Sequence, residues 1–122
     1  MSDRTLSPEL LALLRAHTPA GSRISTVSAG NPNWVTGVDP RGVWIETEAS
    51  KAKGSGAQLV SAWMLQDAWD HLQREGSLEN SHLVARSGLN VKRSSAVCAL
   101  LARLPQVQVA SSRPIRLEYR GR

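Results

Sequence analysis

The 122-residue sequence is long enough for one ordinary domain, with 41% apolar and 20% charged residues. This composition excludes a mainly disordered chain, which would hold fewer apolar residues and a larger charge excess. There is no run of about 18 apolar residues, and the first twenty residues do not resemble a secretory signal. Cys98 is the only cysteine, which excludes an internal disulfide. We therefore expect a single cytoplasmic domain, residues 1–122, without membrane contact.

The charge is unevenly distributed along the chain. Residues 1–79 hold 7 Lys and Arg against 9 Asp and Glu, whereas residues 80–122 hold 8 basic residues and Glu118 as their only acid. Because the basic residues alternate with apolar ones, they predict a folded basic face that attracts a polyanion. The alternative is a solvated basic tail without a partner.

The first half of the chain predicts one helix followed by short strands. Ser7-Pro8-Glu9 supplies the N-cap hydroxyl, the N1 proline and the first-turn acid of a helix that Thr18-Pro19 ends. Three strand-like runs follow at residues 23–28, 33–38 and 42–48. A tight turn at residues 39–42, Asp-Pro-Arg-Gly, joins the last two. Residues 50–56, rich in Lys, Gly and Ser, predict a flexible loop.

From Ala57 onward the pattern is helical and then alternating. Apolar spacing predicts three helices, from residue 57 to Gly76, at about 79–86 and at about 92–104. Alternating residues on both sides of 110–114 predict a β-hairpin. The predicted fold is therefore α+β. An N-terminal helix and small antiparallel strands (1–56) precede a winged helix-turn-helix of three helices and a C-terminal hairpin (57–122).

The helix predicted at 92–104 has an outer face of small residues. Ser95, Ala99 and Ala102 line this face, and Lys92 and Arg93 stand at its start. Such a face would let the helix approach duplex DNA closely, with hydroxyl and guanidinium groups reaching phosphates or base edges. The alternative is that the same small residues pack against the N-terminal strands, which would bury the helix on two sides.

Duplex DNA is the predicted partner. Lys92, Arg93, Ser94 and Ser95 would enter or line the major groove. Arg113 at the hairpin tip, with Arg116 and Arg120 on one strand face, would hold phosphates. The full set of predicted DNA-binding residues is Lys51, Lys53, Lys92, Arg93, Ser94, Ser95, Arg103, Arg113, Arg116 and Arg120.

The tryptophans divide into core and candidate ligand-binding residues. Trp69 falls on the apolar stripe of its helix, so we expect it in the hydrophobic core. Trp34 and Trp44 lie in the strand region, where an aromatic pair could stack an extruded base or line a pocket for a modified one. The alternative for both is that they close a small core in a chain without phenylalanine.

No pattern of catalytic residues is present. His17, His71 and His82 have no metal-ligand spacing with one another or with Cys98. The sequence contains no phosphate-cradling loop and no nucleophile elbow. We expect a protein that is not an enzyme and that uses no cofactor or metal.

Two stretches carry a resemblance to a known family. The first stretch is residues 42–48, with the sequence Gly-Val-Trp-Ile-Glu-Thr-Glu. The second is residues 93–105, with the sequence Arg-Ser-Ser-Ala-Val-Cys-Ala-Leu-Leu-Ala-Arg-Leu-Pro. Together they resemble accessory domains of actinobacterial HNH restriction endonucleases over about residues 35–110. The resemblance implies a winged-helix-like DNA reader, and in the McrA-like, modification-dependent cases a reader of modified DNA such as 5-methylcytosine. The HNH motif is absent, which implies a recognition module with its nuclease domain attached elsewhere, or a stand-alone relative.

The predicted function is double-stranded DNA binding, with recognition of modified DNA in a restriction system as its specific form. The alternatives are a winged-helix transcriptional regulator, a protein-interaction module, and a small enzyme or its regulatory subunit. A homodimer is a further candidate assembly. Steep salt dependence would distinguish DNA binding from an apolar protein interface.

Overall fold

The computed structural model describes residues 5–28, 30–54 and 56–121, which form five helices and seven strands. The helices are α1 (Pro8–His17), α2 (Glu48–Lys53), α3 (Ala62–Glu75), α4 (Asn80–Ser87) and α5 (Val91–Leu101). The strands are β1 (Arg23–Ser25), β2 (Pro32–Asp39), β3 (Gly42–Thr47), β4 (Gln58–Ser61), β5 (Ser77–Glu79), β6 (Val107–Ser112) and β7 (Ile115–Tyr119). Helices combined with antiparallel sheets confirm the predicted α+β class.

The first four strands form one antiparallel sheet in chain order, here called sheet A. Its inner face is apolar, because Val35, Val43 and Val60 are each at most 1% exposed. The predicted turn between β2 and β3 ends at Gly42, whose φ is 142°. A Cβ at Gly42 would overlap the carbonyl oxygen of Val60, so the close approach of β3 and β4 requires glycine here.

The last three strands form a second sheet, here called sheet B, in the order β5-β7-β6. The three helices α3, α4 and α5 pack between and around the two sheets. Their buried side chains belong to a single apolar cluster that also takes in the inner face of sheet A. The largest fully buried side chain in this cluster is that of Trp69, as predicted.

Several local predictions are confirmed. Ser7 caps α1, because its Oγ accepts a hydrogen bond from the main-chain N–H of Leu10 at 3.2 Å. α3 ends at Gly76, which takes the left-handed conformation at φ 82°. The C-terminal hairpin is present as β6 and β7, paired antiparallel.

Residues 47–61 differ from the prediction. The expected flexible loop at 50–56 overlaps the second half of α2, which begins with a reciprocal capping box between Thr47 and Ser50. The expected helical start at Ala57 is wrong, because residues 58–61 form β4 on β3 and the helix begins at Ala62. The chain thus completes sheet A before it enters the helical part.

Candidate nucleic-acid interface

The helix predicted to enter the major groove, α5, is covered by other parts of the protein. It contacts β1 and β4 of sheet A as well as α3 and α4. Ala99 is 1% exposed, and Ser95 and Ala102 are only partly exposed. Ser94 is fully buried at 0% exposure, so its predicted contact with DNA is corrected: its hydroxyl does not face solvent. The contacts of α5 with β1 and β4 agree with the alternative interpretation, in which the helix packs against the N-terminal strands.

Arg93 at the start of α5 also has a partner inside the protein. Its guanidinium donates a hydrogen bond to the main-chain carbonyl oxygen of Leu59 in β4. Its side chain is partly buried, and the side chain of Lys92 lies outside the described part of the structure. The described start of α5 therefore joins the helix to an edge strand of sheet A, and its burial does not support a role in groove reading.

The turn of the C-terminal hairpin also reaches sheet A. Arg113 lies in this turn, as predicted, and its Nε donates to the carbonyl oxygen of Ser28 at 3.0 Å. Ser28 belongs to the loop between β1 and β2. A guanidinium has five N–H donors, so an exposed arginine with one bond to Ser28 keeps donors for an anion.

The other predicted phosphate-binding arginines have different surroundings. Arg116 and Arg120 share one strand face with Glu118, as their alternation in the sequence requires. Their side-chain nitrogens lie 3.7 Å and 2.7 Å from the Glu118 carboxylate, which offsets part of their charge. Arg103 is exposed just beyond the end of α5.

The outer face of sheet A carries Trp34 beside Lys51. Trp34 stands directly opposite Arg23 on one side and Glu46 on the other, so all three side chains share this face. The capped helix α2 places Lys51 so that its Nζ lies 4.0 Å from the centroid of the Trp34 ring. Trp34 is partly buried, whereas Lys51 and Lys53 are exposed.

Trp44 lies on the same face toward the opposite end of the sheet, near the β2–β3 turn. Its indole N–H donates to the carboxylate of Asp39 at 3.3 Å. Arg41 donates to the same carboxylate at 3.2 Å and lies 5.7 Å from the Trp44 ring centroid. The hydrogen bond from Arg41 lowers the pKa of Asp39 below its ordinary value, so this end of the face holds a fixed anion.

The other end of sheet A brings together cations from three parts of the chain. Ser25 pairs with Pro32 directly before the β1–β2 loop, and Thr47 pairs with Asn33 directly before α2. This loop and α2 therefore lie at the same end of the sheet, and Arg113 reaches the same loop from the hairpin. We call this surface the loop-end patch; its members are Arg23, Trp34, Lys51, Lys53 and Arg113.

A separate groove between α3 and α4 brings two histidines into contact. The rings of His71 and His82 have centroids 3.9 Å apart with 31° between their planes, and Asp67, Asp70 and Arg74 line the same groove. Burial lowers the pKa of His71, and the charge of His82 lowers it further. The two histidines are eleven residues apart across a helix break, so their spacing in the sequence did not indicate this contact.

Cys98 and the possible metal ligands are the remaining chemistry-bearing groups of the described residues. Burial raises the pKa of the Cys98 thiol to about 12, which keeps it protonated and unreactive at neutral pH. Within residues 5–28, 30–54 and 56–121, no three His, Cys, Asp or Glu side chains are placed to hold a metal ion. No helix of these residues is long and apolar enough to cross a bilayer.

Comparison with protein-family models, with curated proteins and with solved structures found no match to this chain. The geometry of the loop-end patch is therefore the main structural guide to function. Each of its members except Arg23 was a predicted DNA-binding or base-pocket residue. Their placement at one end of sheet A was not predicted, because Lys51 and Arg113 are far apart in the sequence and reach this end from different elements.

Proposed function

We propose that this protein binds double-stranded DNA and that its C-terminal part is a winged helix. The element order α3-β5-α4-α5-β6-β7 supports this arrangement. So does the order of sheet B, in which the short strand after the first helix pairs with the returning strand of the hairpin. The β6–β7 hairpin is then the wing, with Arg113 at its turn.

DNA contacts the loop-end patch rather than α5 in this proposal. The observation that carries it is the hydrogen bond from Arg113 to Ser28, which joins the wing to the end of sheet A where Lys51 and Lys53 are exposed. Cations that are fixed on one surface by different elements can contact successive phosphates and release their counterions. Glu46 and Glu48 lie nearby, but these two acids do not neutralise the four cations of the patch. The surface therefore keeps a positive excess.

The test is duplex binding as a function of salt. A plain duplex is titrated with the protein at several salt concentrations, with fluorescence anisotropy as the readout. We expect log affinity to fall with log salt at a slope of roughly −3 to −4, about −0.9 for each phosphate neutralised. Lys51→Ala with Lys53→Ala should make the slope shallower by about 2, and Arg113→Ala by about 1.

A matched control keeps the total charge equal. Arg15→Ala with Arg74→Ala also removes two exposed cations, but from α1 and α3, which pack on the inner side of sheet A. This control should leave the slope close to that of the parent. Equal losses in both double variants would mean that binding follows net charge alone and would reject the patch. A salt-insensitive interaction, or none, would reject DNA binding and favour a protein-interaction module.

We further propose that the DNA is modified, as expected for the recognition module of a restriction system. The support is the sequence resemblance together with the partial exposure of Trp34 on the outer face of sheet A. Recognition of a 5-methyl group needs an apolar contact in the groove or an extruded base on an aromatic ring. Equal affinity of the parent protein for plain and methylated duplex would remove this part and leave general duplex binding.

A further inference from the structure

We propose that Trp34 is a stacking platform for one unpaired base of the bound DNA, because its indole lies on an open sheet face among cations, one of which rests on the ring. This inference depends on the proposed DNA binding and extends it, since it names the nucleotide state that the loop-end patch accepts. The two tryptophans of the outer face then have different roles.

The Trp34 ring is accessible from the solvent side. Its cross-strand neighbours, Arg23 and Glu46, are long polar side chains that stand beside it. The group that the structure places over the ring is the Lys51 ammonium, 4.0 Å from the centroid. Lysine has a flexible four-carbon stem and an exposed, strongly hydrated head group. The ring is therefore covered by a side chain that can move at little cost.

An incoming nucleotide offers a better partner to both groups. A base is a planar π-system that stacks on indole, and the phosphate attached to it is a stronger partner for an ammonium than an aromatic ring is. Lys51 can move from the ring to this phosphate while the base occupies the ring. The same two residues thus bind the two halves of one nucleotide.

Trp44 is the natural comparison because it shares the face but not the chemistry. Its indole N–H is bound to the Asp39 carboxylate, and Arg41 is bound to the same carboxylate. Among the described residues, by contrast, no acceptor is bonded to the indole N–H of Trp34. Trp44 is a structural residue of the β2–β3 turn, and the pair does not form one pocket.

The occupant is a base of DNA rather than an apolar peptide. Trp34 is flanked by Arg23, Lys51 and the acid Glu46. With Lys53 and Arg113 at the same end of the sheet, cations are in excess, and an apolar peptide would leave this excess charge unpaired. One partly exposed ring accommodates one base. The surrounding cations then contact the backbone on either side of it.

The experiment compares two duplexes of the same sequence, one fully paired and one with a single unpaired base. The parent protein should bind the second about tenfold more tightly, as expected from base–indole stacking. Trp34→Leu should abolish this preference, so that the variant binds the two duplexes with equal affinity. Trp34→Phe, which keeps a ring, should retain part of the preference and covers the case in which the leucine variant does not fold. Trp44→Leu, the matched control, should retain all of it.

The outcomes separate this inference from the proposed function. Equal binding of both duplexes by the parent would overturn the stacking role and leave duplex binding intact. Retention of the preference in a folded Trp34→Leu variant would also overturn it, because DNA flexibility would then explain the preference. Binding of only the duplex with the unpaired base would support stacking and overturn general duplex binding. Binding of neither would overturn both.

Discussion

Helix α5 and the loop-end patch have similar residue types but opposite environments. The start of α5 combines arginine with small hydroxyl residues, and it is held against sheet A with Ser94 fully buried. The loop-end patch combines lysine, arginine and tryptophan from separate segments, and its cations are exposed. The comparison shows that a basic, hydroxyl-rich helix face can form an internal packing contact between a helix and a sheet. The elements that pack on it determine whether DNA can reach it.

The largest expected effect comes from placing a charge at a buried position of α5. Ala99→Glu would bury an unpaired carboxylate at a site that is 1% exposed. We expect it to lower the free energy of unfolding by more than about 3 kcal/mol, measured by urea denaturation. Ala85→Glu on the exposed side of α4 is the control and should change stability by less than about 0.5 kcal/mol. A small effect at Ala99 would mean that α5 is open to solvent.

An intermediate effect is expected at Arg93. Arg93→Ala would leave the Leu59 carbonyl without its charged donor, and hydrogen bonds of this kind contribute about 1.5–3 kcal/mol. The loss should appear in the unfolding free energy, while the salt slope of DNA binding stays close to that of the parent. Arg103→Ala, an exposed arginine just beyond α5, is the control. Unchanged stability with lost DNA binding would return Arg93 to the DNA interface.

The smallest expected effect is a pH dependence of stability from the histidine pair. Because the pKa of His71 is lowered in the folded state, the unfolded chain takes up this proton first as the pH falls. The folded protein keeps its full stability at pH values above the ordinary histidine pKa of about 6.5, and it loses stability as the pH falls below that value. Asp67, Asp70, Arg74, Glu75 and His82 face or influence the same group.

Melting temperatures at pH 7.5 and pH 5 test this effect. The parent protein should lose more stability between the two values than His71→Gln, whose side chain does not titrate. Both proteins share all the carboxylates, so the difference between them isolates the histidine. Equal losses would show that burial and the neighbouring His82 do not lower the pKa of His71 in the folded protein.

Much of the fold could be predicted because its signals are local. The Ser7 cap, the glycine after α3, the turn at 39–42 and the alternating hairpin depend on residues that are adjacent in the chain. The short elements could not be predicted in the same way. β4 and β5 have four and three residues, too few for a period to show, and they exist because a neighbouring strand supplies their hydrogen bonds. A missed local signal was the Thr47–Ser50 cap of α2, in which serine takes the place usually held by glutamate or glutamine.

The candidate site was predicted in pieces. Residue chemistry marked Lys51, Lys53 and Arg113 as DNA-binding residues, and all three are exposed in the structure. It could not show that Arg113 reaches Ser28, since that contact spans 85 positions of the chain. Nor could composition decide whether the small residues of α5 face DNA or pack against the N-terminal strands. That choice depends on where sheet A packs, a tertiary property that a helical pattern does not contain.

The packing of sheet A on α5 has a consequence for how the chain folds during synthesis. α1 and the strands of sheet A are synthesised before α3 and α5, so the part of the inner face that these two helices cover, with Val43 in β3, stays uncovered until they follow. The early part of the chain therefore carries exposed apolar strands, a condition that favours aggregation and chaperone binding. A nascent chain that stalls before α5 would expose part of the apolar inner face of sheet A, whereas the completed chain buries this face.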